Sequence, residues 1–368
     1  MKIGGKQYRS IWVDEADVSV IKAIDQVALP FELRISELRS VDDVYTAIKD
    51  MTVRGAPAIG VAAAYGMYLA TLEMTPLETP RDYLRNAGSY LISCRPTAVN
   101  LAWAVREMLA GLDGIKDLAT LQQKSLELAN GIAEFEIGNC RSIGKHGVEL
   151  IKKISREKNG ETVNILTHCN AGWLACVDWG TVTAPVYMAR DLGIPVHVWV
   201  DETRPRNQGA RLTAFELGEE GIPNTLVTDN AGGHLMQHGL VDIVFSGSDR
   251  TTSTGDVANK IGTYLKALAA RDNNIPFYAA LPTSTIDMSI RDGLREIEIE
   301  ERDPGEVTMV TGMAGDKTSA VRICKENTVV SNFGFDVTPA RLVSGLITEK
   351  GVCAATENEI KRLFSEKI

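Results

Sequence analysis

The chain lacks the signatures of several large functional classes. It has no GxGxxG and no GxxxxGKS/T, so neither glycine loop that brings backbone amides against a nucleotide's phosphates is present. A nicotinamide-type dinucleotide site is therefore not expected. No CxxC pair and no HExxH occur, which removes the common thiolate and zinc-protease frameworks. Basic residues are not in excess: 39 Lys and Arg against 48 Asp and Glu give a net charge of −9, which argues against a nucleic-acid-binding surface. The least polar stretch, 56–72, is interrupted by Pro57, Gly60 and Gly66. It falls short of a membrane span and reads as a buried helix. The first residues carry acidic groups and no apolar signal-peptide core, so a cytoplasmic chain with no membrane partner is expected. Cys94, Cys140, Cys169, Cys176, Cys324 and Cys353 are scattered, as free thiols in a reducing compartment are. Internal repeats and low-complexity tracts are absent.

What remains is an ordinary globular composition, 368 residues with 44% hydrophobic and 24% charged. That length suits two domains or one large one. After a short start with room for a few strands, residues up to about 155 read as helical. Ser40 caps a segment, 40–51, with Val44, Ile48 and Met51 at helical spacing. Pro57 and Pro96 each open a further helix, over 56–72 and 96–109. A long helical stretch covers about 118–155. The polar turn at 155–163 then changes the period. Short β-branched runs at 163–167, 196–201, 224–228, 242–246 and 276–281 alternate with helix-sized gaps, which predicts βαβ units and a parallel sheet. A late run at 328–330 predicts one more strand. The expected fold class is α/β: a small mainly helical N-terminal domain, 1–155, and a Rossmann-like parallel-sheet domain, 156–368.

In such a sheet ligands bind beyond the carboxyl ends of the strands. That rule selects His168, Cys169 and Asn170, then Asp201, Glu202 and the loop holding Gln208, then Asp229, then Asp249. Periodicity does not rank the four carboxylates, each of which also suits a helix cap or an ion pair. Cys169 is equally open between a working thiol, a ligand and a buried small residue. His234 and His238 share a helical face at zinc spacing, but no third ligand is near in sequence. His168 and Cys169, being adjacent, point to opposite sides of an extended chain. Hydrogen-bonding histidines and no metal are expected. Three basic residues stand at predicted helix starts: Arg54 before Pro57, Arg95 before Pro96, and Lys260 in "NKIG". Helix amino ends with a nearby cation suit an anion such as phosphate.

The motifs "RGAPAIG", "RPTAVN", "THCNAG", "DETRPRNQGARLTAFEL", "DNA", "GSDR", "NKIGTY" and "NFGFDVTP" occur in this order. Together they resemble the methylthioribose-1-phosphate isomerase family, aldose–ketose isomerases of methionine salvage, from about Met51 to Pro339. The resemblance implies a homodimer acting on a sugar phosphate without metal or nicotinamide cofactor. It implies a catalytic thiol at Cys169 and a proton-donating carboxyl at Asp249. Its substrate contacts fall on Arg54, Gly55, Ala56, Arg95, Gln208, Asn259 and Lys260. A helix after Cys169, with the basic residues, is expected to help the thiol ionise. Ser248, Trp173 and Trp179 depart from the usual family residues and are expected to border the site. They leave 5-deoxyribose 1-phosphate and ribose 1,5-bisphosphate as alternative substrates. Regulatory relatives in the wider superfamily share the fold without the activity, which gives a non-catalytic alternative.

Overall fold

A computed structural model describes residues 1–75, 79–95 and 99–365. Its fold is mixed α/β, with a helical first part and a largely parallel sheet in the second. The chain starts with short strands. Three of them, Ile11–Val13, Ile21–Ile24 and Ile35–Leu38, form an antiparallel sheet. Helix α1 spans Val41–Lys49, and the Ser40 side chain accepts the Asp43 amide at 3.0 Å. That bond satisfies one of the amides a helix leaves orphaned at its start.

Helix α2, Ala56–Glu73, is buried without a break from Pro57 to Thr71. A helix that is apolar and small-sided all round belongs inside a domain, and α2 is the axis of the first core. Around it pack α1, α3 (Pro80–Ser93), α4 (Val99–Leu112) and the front of α5 (Leu118–Glu157). The expected opener of α4, Pro96, lies outside the described residues. Helix α3 had no expectation in sequence. Helix α5 serves two cores: Leu121 to Ile137 pack in the first, while Ile143, Val148 and Ile151 pack beneath the parallel sheet.

That sheet has seven strands in the order Gly351–Cys353, Gly345–Thr348, Phe277–Ala280, Ile243–Ser246, Val163–His168, Val196–Asp201, Asn224–Val227. The first pairing is antiparallel and the others are parallel. All five β-branched runs expected as strands are members. Near-continuous apolar runs are what a parallel sheet covered on both faces requires. The expected strand at 328–330 does not form; Val329 is exposed there. The missing sheet member is Gly345–Thr348, buried at every position. Beside this sheet Ile286–Asp287, Arg250–Thr252, Val257–Lys260 and Phe335–Thr338 build a smaller one, in that order. The strands Met309–Ala314 and Lys317–Arg322 form a hairpin whose second strand is wholly exposed. Among the described residues no helix is long and apolar enough to cross a membrane.

Glu136 of α5 is buried, and neither carboxylate oxygen has a well-formed hydrogen bond. Burial pushes it up to about 7; the Asn139 amide offsets only part of this, and Glu349 adds to it. A carboxyl whose pKa is raised on folding binds its proton more tightly in the native state. Its contribution therefore falls as pH rises from about 4.5 to about 7. Glu136→Gln should gain on the parent by on the order of 3 kcal/mol between pH 5 and pH 8. Urea unfolding at the two pH values measures this gain, and an equal difference at both would disprove it.

Candidate active site

A cleft lies where the carboxyl ends of the parallel strands face the amino end of α2. It encloses about 250 Å³, and Arg54, Gly55, Ala56, Arg95, Cys169, Gln208, Asp249 and Lys260 all line it. Asn259 lines a narrower recess shared with Arg54, Cys169 and Asp249. The structure thus brings together residues that are far apart in sequence.

Gly55 makes this convergence possible. Its φ is +94°, and a Cβ there would lie 2.4 Å from the Cβ of Ala175. Only glycine allows both the backbone conformation and the approach. The approach sets Arg54 against the loop that follows Cys169. Arg54 Nη1 donates to Asn170 Oδ1 at 2.5 Å, and Nη2 donates to the Asn170 carbonyl at 3.0 Å.

Cys169 follows directly on the Val163–His168 strand, with φ +68°. A left-handed non-glycine residue costs about 1–3 kcal/mol and persists only when its surroundings impose it. Here its amide donates to Thr203 Oγ1 at 2.9 Å, and Thr213 Oγ1 donates to its carbonyl at 2.7 Å. The loop beyond is gathered by buried Glu216. That carboxylate accepts the amides of Trp173 at 2.9 Å and Leu174 at 3.0 Å, and the Asn170 side chain at 3.1 Å. Burial still pushes Glu216 up to about 7.

The expected helix after Cys169 is absent. A three-residue 3₁₀ turn, Trp173–Ala175, follows instead, and the next helix starts at Thr183. The turn is too short to carry a useful dipole. Burial raises the Cys169 thiol, and Arg54 and Lys260 are the charges that oppose the rise. Trp173 and Trp179 are also placed differently from expectation. Trp173 is fully buried beneath the sheet, Trp179 packs at the seam of the two cores, and neither lines the cleft. Ser248 does line the recess beside Asp249.

Lys260 does not start a helix. It closes the Val257–Lys260 strand, opposite Phe335, and the helix begins at Thr263. Local spacing cannot reveal a strand whose partner comes so late in the chain. Lys260 Nζ donates to the Gly334 carbonyl at 2.8 Å and sits 4.7 Å from the Phe335 ring centroid. Burial lowers its pKa, while Cys169 and Asp249 raise it. Arg95 faces Glu300 at 3.6 Å, and its Nε has no hydrogen-bond partner. Gln208 Oε1 is likewise buried and unpartnered. One donor and one acceptor are therefore free to meet a hydroxylated anion.

The four strand-end carboxylates now separate. Asp229 accepts the amides of Thr203 and Arg204, each at 2.7 Å. Asp201 is buried between His168 and Lys266, at 2.9 and 3.1 Å. Asp249 alone among them lines the cleft. Loss of water raises its pKa, against the pull of Lys260, Arg95 and Arg54. The arrangement holds a carboxyl able to keep a proton opposite a thiol, with three cations around both. The strand-end rule marks Asn170, which holds Arg54; sequence reasoning missed Glu216, which gathers the thiol loop, and the apolar lining from Met51, Ile59, Ile297 and Phe335. Asn170 stood beside Cys169 in a marked motif; nothing local marked Glu216.

The rings of His234 and His238 lie 4.2 Å apart, and His238 Nδ1 lies 2.8 Å from the His234 carbonyl. Among the described residues, the one group of acid and imidazole ligand atoms within 4.8 Å of one another is His168, Asp201 and Asp229. His168 Nδ1 and Lys266 meet Asp201 Oδ2, and two backbone amides meet Asp229, while Asp201 Oδ1 is buried without a partner.

Cleft and sheet together define an α/β protein whose cleft is lined by a thiol, a carboxyl and three cations, Arg54, Arg95 and Lys260. The profile of the Initiation factor 2 subunit family matches residues 52–355. A methylthioribose-1-phosphate isomerase of Desulfatibacillum aliphaticivorans is 55% identical over 368 residues, covering 100% of both chains. The crystal structure of 5-methylthioribose 1-phosphate isomerase from Pyrococcus horikoshii OT3 superposes with a TM-score of 0.83 at 38% identity, covering 98% of this chain and 96% of that one. A structure from A. fulgidus described as translation initiation factor eIF-2B, subunit delta, is 37% identical with a TM-score of 0.80, covering 98% and 100%. The chain belongs to the Initiation factor 2 subunit family and, within it, to the methylthioribose-1-phosphate isomerases.

Because burial outweighs the two cations, Cys169 should be sluggish as a nucleophile in the free protein. Iodoacetamide labelling across pH, read by peptide mass spectrometry, should place its midpoint above the ordinary 9.0. Lys260→Met should move it higher. A midpoint below 9.0 in the parent would mean that the cations prevail.

Proposed function

We propose that this chain is an aldose–ketose isomerase that converts 5-methylthioribose 1-phosphate into 5-methylthioribulose 1-phosphate in methionine salvage. The observation that carries the reading is the meeting of Cys169, Asp249, Arg54, Arg95 and Lys260 in one cleft.

The chemistry explains the need for such a site. Phosphate on the anomeric oxygen locks the sugar as a ring, so no free aldehyde is available. Asp249, whose pKa burial raises, donates as the protonated carboxyl to the ring oxygen as the bond from C1 breaks. The Cys169 thiolate removes the proton from C2, leaving an enol phosphate. Cys169 returns that proton to C1, and the C2 hydroxyl proton goes back to Asp249 as the ketone forms. Every proton lent is recovered, and no electron leaves the substrate. In the competing route hydride passes directly from C2 to C1, and Cys169 only supports the developing charge. A single turnover in D2O separates the two, since solvent deuterium at C1 is expected only for the proton route. Arg54, Arg95 and Lys260 hold the phosphate, with Gln208 and Asn259 on the sugar hydroxyls.

The apolar lining from Met51, Ile59, Ile297 and Phe335 suits a methylthio group at C5. Glu296 and Glu298 share that lining and would repel a second phosphate there, which speaks against ribose 1,5-bisphosphate. A cytoplasmic homodimer, divided near residue 155 into a helical and a Rossmann-like part, is the assembly we propose. Sedimentation at micromolar concentration reads the dimer directly.

Cys169→Ser and Asp249→Asn should each lower kcat by ~10²–10⁴-fold with the protein still folded. Near-parent turnover of either variant would remove it from the mechanism. Comparing kcat/KM for methylthioribose, 5-deoxyribose and ribose 1-phosphates and ribose 1,5-bisphosphate tests the substrate. The methylthio sugar should lead, and no turnover of any of the four would favour a regulatory protein instead.

A further inference from the structure

His168, one residue before the thiol, is fully buried with both ring nitrogens engaged. Nδ1 lies 2.9 Å from Asp201 Oδ2, and Nε2 lies 2.8 Å from the Ile261 carbonyl. A carbonyl only accepts, so Nε2 must carry hydrogen. A carboxylate only accepts as well, so Nδ1 must carry hydrogen too, unless the shared proton sits on Asp201. Lys266 Nζ lies 3.1 Å from that same carboxylate oxygen, and an ammonium donor there is poorly matched to a hydrogen on that oxygen. A neutral imidazole would set a lone pair against an acceptor on one side or the other. The remaining charges facing the ring agree. Asp229 Oδ1 is 3.9 Å from Nδ1, and Asp336 acts on the ring from the far side while accepting the Gly262 amide at 2.7 Å. Three carboxylates and one ammonium surround the ring, and one further positive charge is needed to approach balance.

The ring also ties two parts of the cleft together. Its own backbone leads into Cys169. Its Nε2 bond reaches the residue after Lys260, and Gly262, with φ +104°, is pressed so close that a Cβ would lie 2.9 Å from His168 Cε1. We propose that His168 is a buried imidazolium that positions Cys169 and Lys260 relative to each other and carries no proton in the reaction. Both nitrogens are blocked by protein acceptors, so the ring is fixed as a strut and has no free site for a substrate proton. The functional half of this proposal rests on the isomerase reading; the protonation half does not.

Nitrogen-15 NMR of histidine-labelled, ligand-free full chain tests the charge. His168, assigned by the loss of its signals in His168→Gln, should show two protonated ring nitrogens, because each faces an acceptor. A single protonated nitrogen would overturn the proposal. Asp201→Asn, which removes the carboxylate facing Nδ1, should leave the ring with one protonated nitrogen. Kinetics test the positioning. His168→Gln should lower kcat/KM by ~10–10²-fold, the cost of a small misplacement of reacting groups, while both limbs of its pH profile stay where the parent has them. A lost or shifted limb would make His168 a proton carrier, and a change under twofold would remove the positioning role. If His168→Gln does not fold, assignment through Asp201→Asn and the parent spectrum decide. If the parent turns over no sugar phosphate, the isomerase reading fails while the spectrum still reports the imidazolium.

Discussion

The site depends on one close contact. Gly55, in a conformation closed to other residues, lies against Ala175, and that contact presses the amino end of the buried helix α2 onto the loop that follows Cys169. Arg54 enters the cleft because of it and is then held by Asn170. Asn170 is held in turn by Glu216, which also gathers the amides of the turn beyond the thiol. A side chain at position 55 would part the two halves of the cleft and remove the Arg54 cation along with the support for the thiol's loop.

Within the cleft, burial and charge work against each other. Desolvation raises the Cys169 thiol and the Asp249 carboxyl and lowers the Lys260 ammonium. Arg54 and Lys260 pull both acids back, and Arg95 adds to the pull on Asp249. The balance suits the proton donor proposed for Asp249. It suits the thiolate proposed for Cys169 less well, because burial raises that thiol. The His168 cluster lies behind this layer, with its ring between the thiol strand and the Lys260 turn.

Much of the architecture was legible because it is written in short-range pattern. Ser40 capped its helix, the apolar run from Pro57 to Thr71 became the axis of a core, and the five β-branched runs became parallel strands. The failures have a common cause. Lys260 was read as a helix start because a short strand before a glycine turn looks the same locally; its pairing with Phe335 is remote. The run at 328–330 has β-branched residues but no sheet to join, whereas Gly345–Thr348 does. Trp173 and Trp179 stand near Cys169 in sequence, yet they turn away from the cleft, because the loop folds back over the sheet.

By itself the sequence determined the fold class, the strand ends where a ligand binds, and, through its ordered motifs, the family and the residues to inspect. It could do so because periodicity, caps and glycine turns act over a few residues. Only the tertiary structure decided which of four strand-end carboxylates faces the thiol and which lock backbone amides or an imidazole. It alone showed that Glu216 gathers the thiol's loop, that His168 bonds the turn after Lys260, and that no helix follows Cys169 directly. These are questions of distance between segments remote in the chain, and burial, which sets the charge state of each group, exists only once those segments have packed.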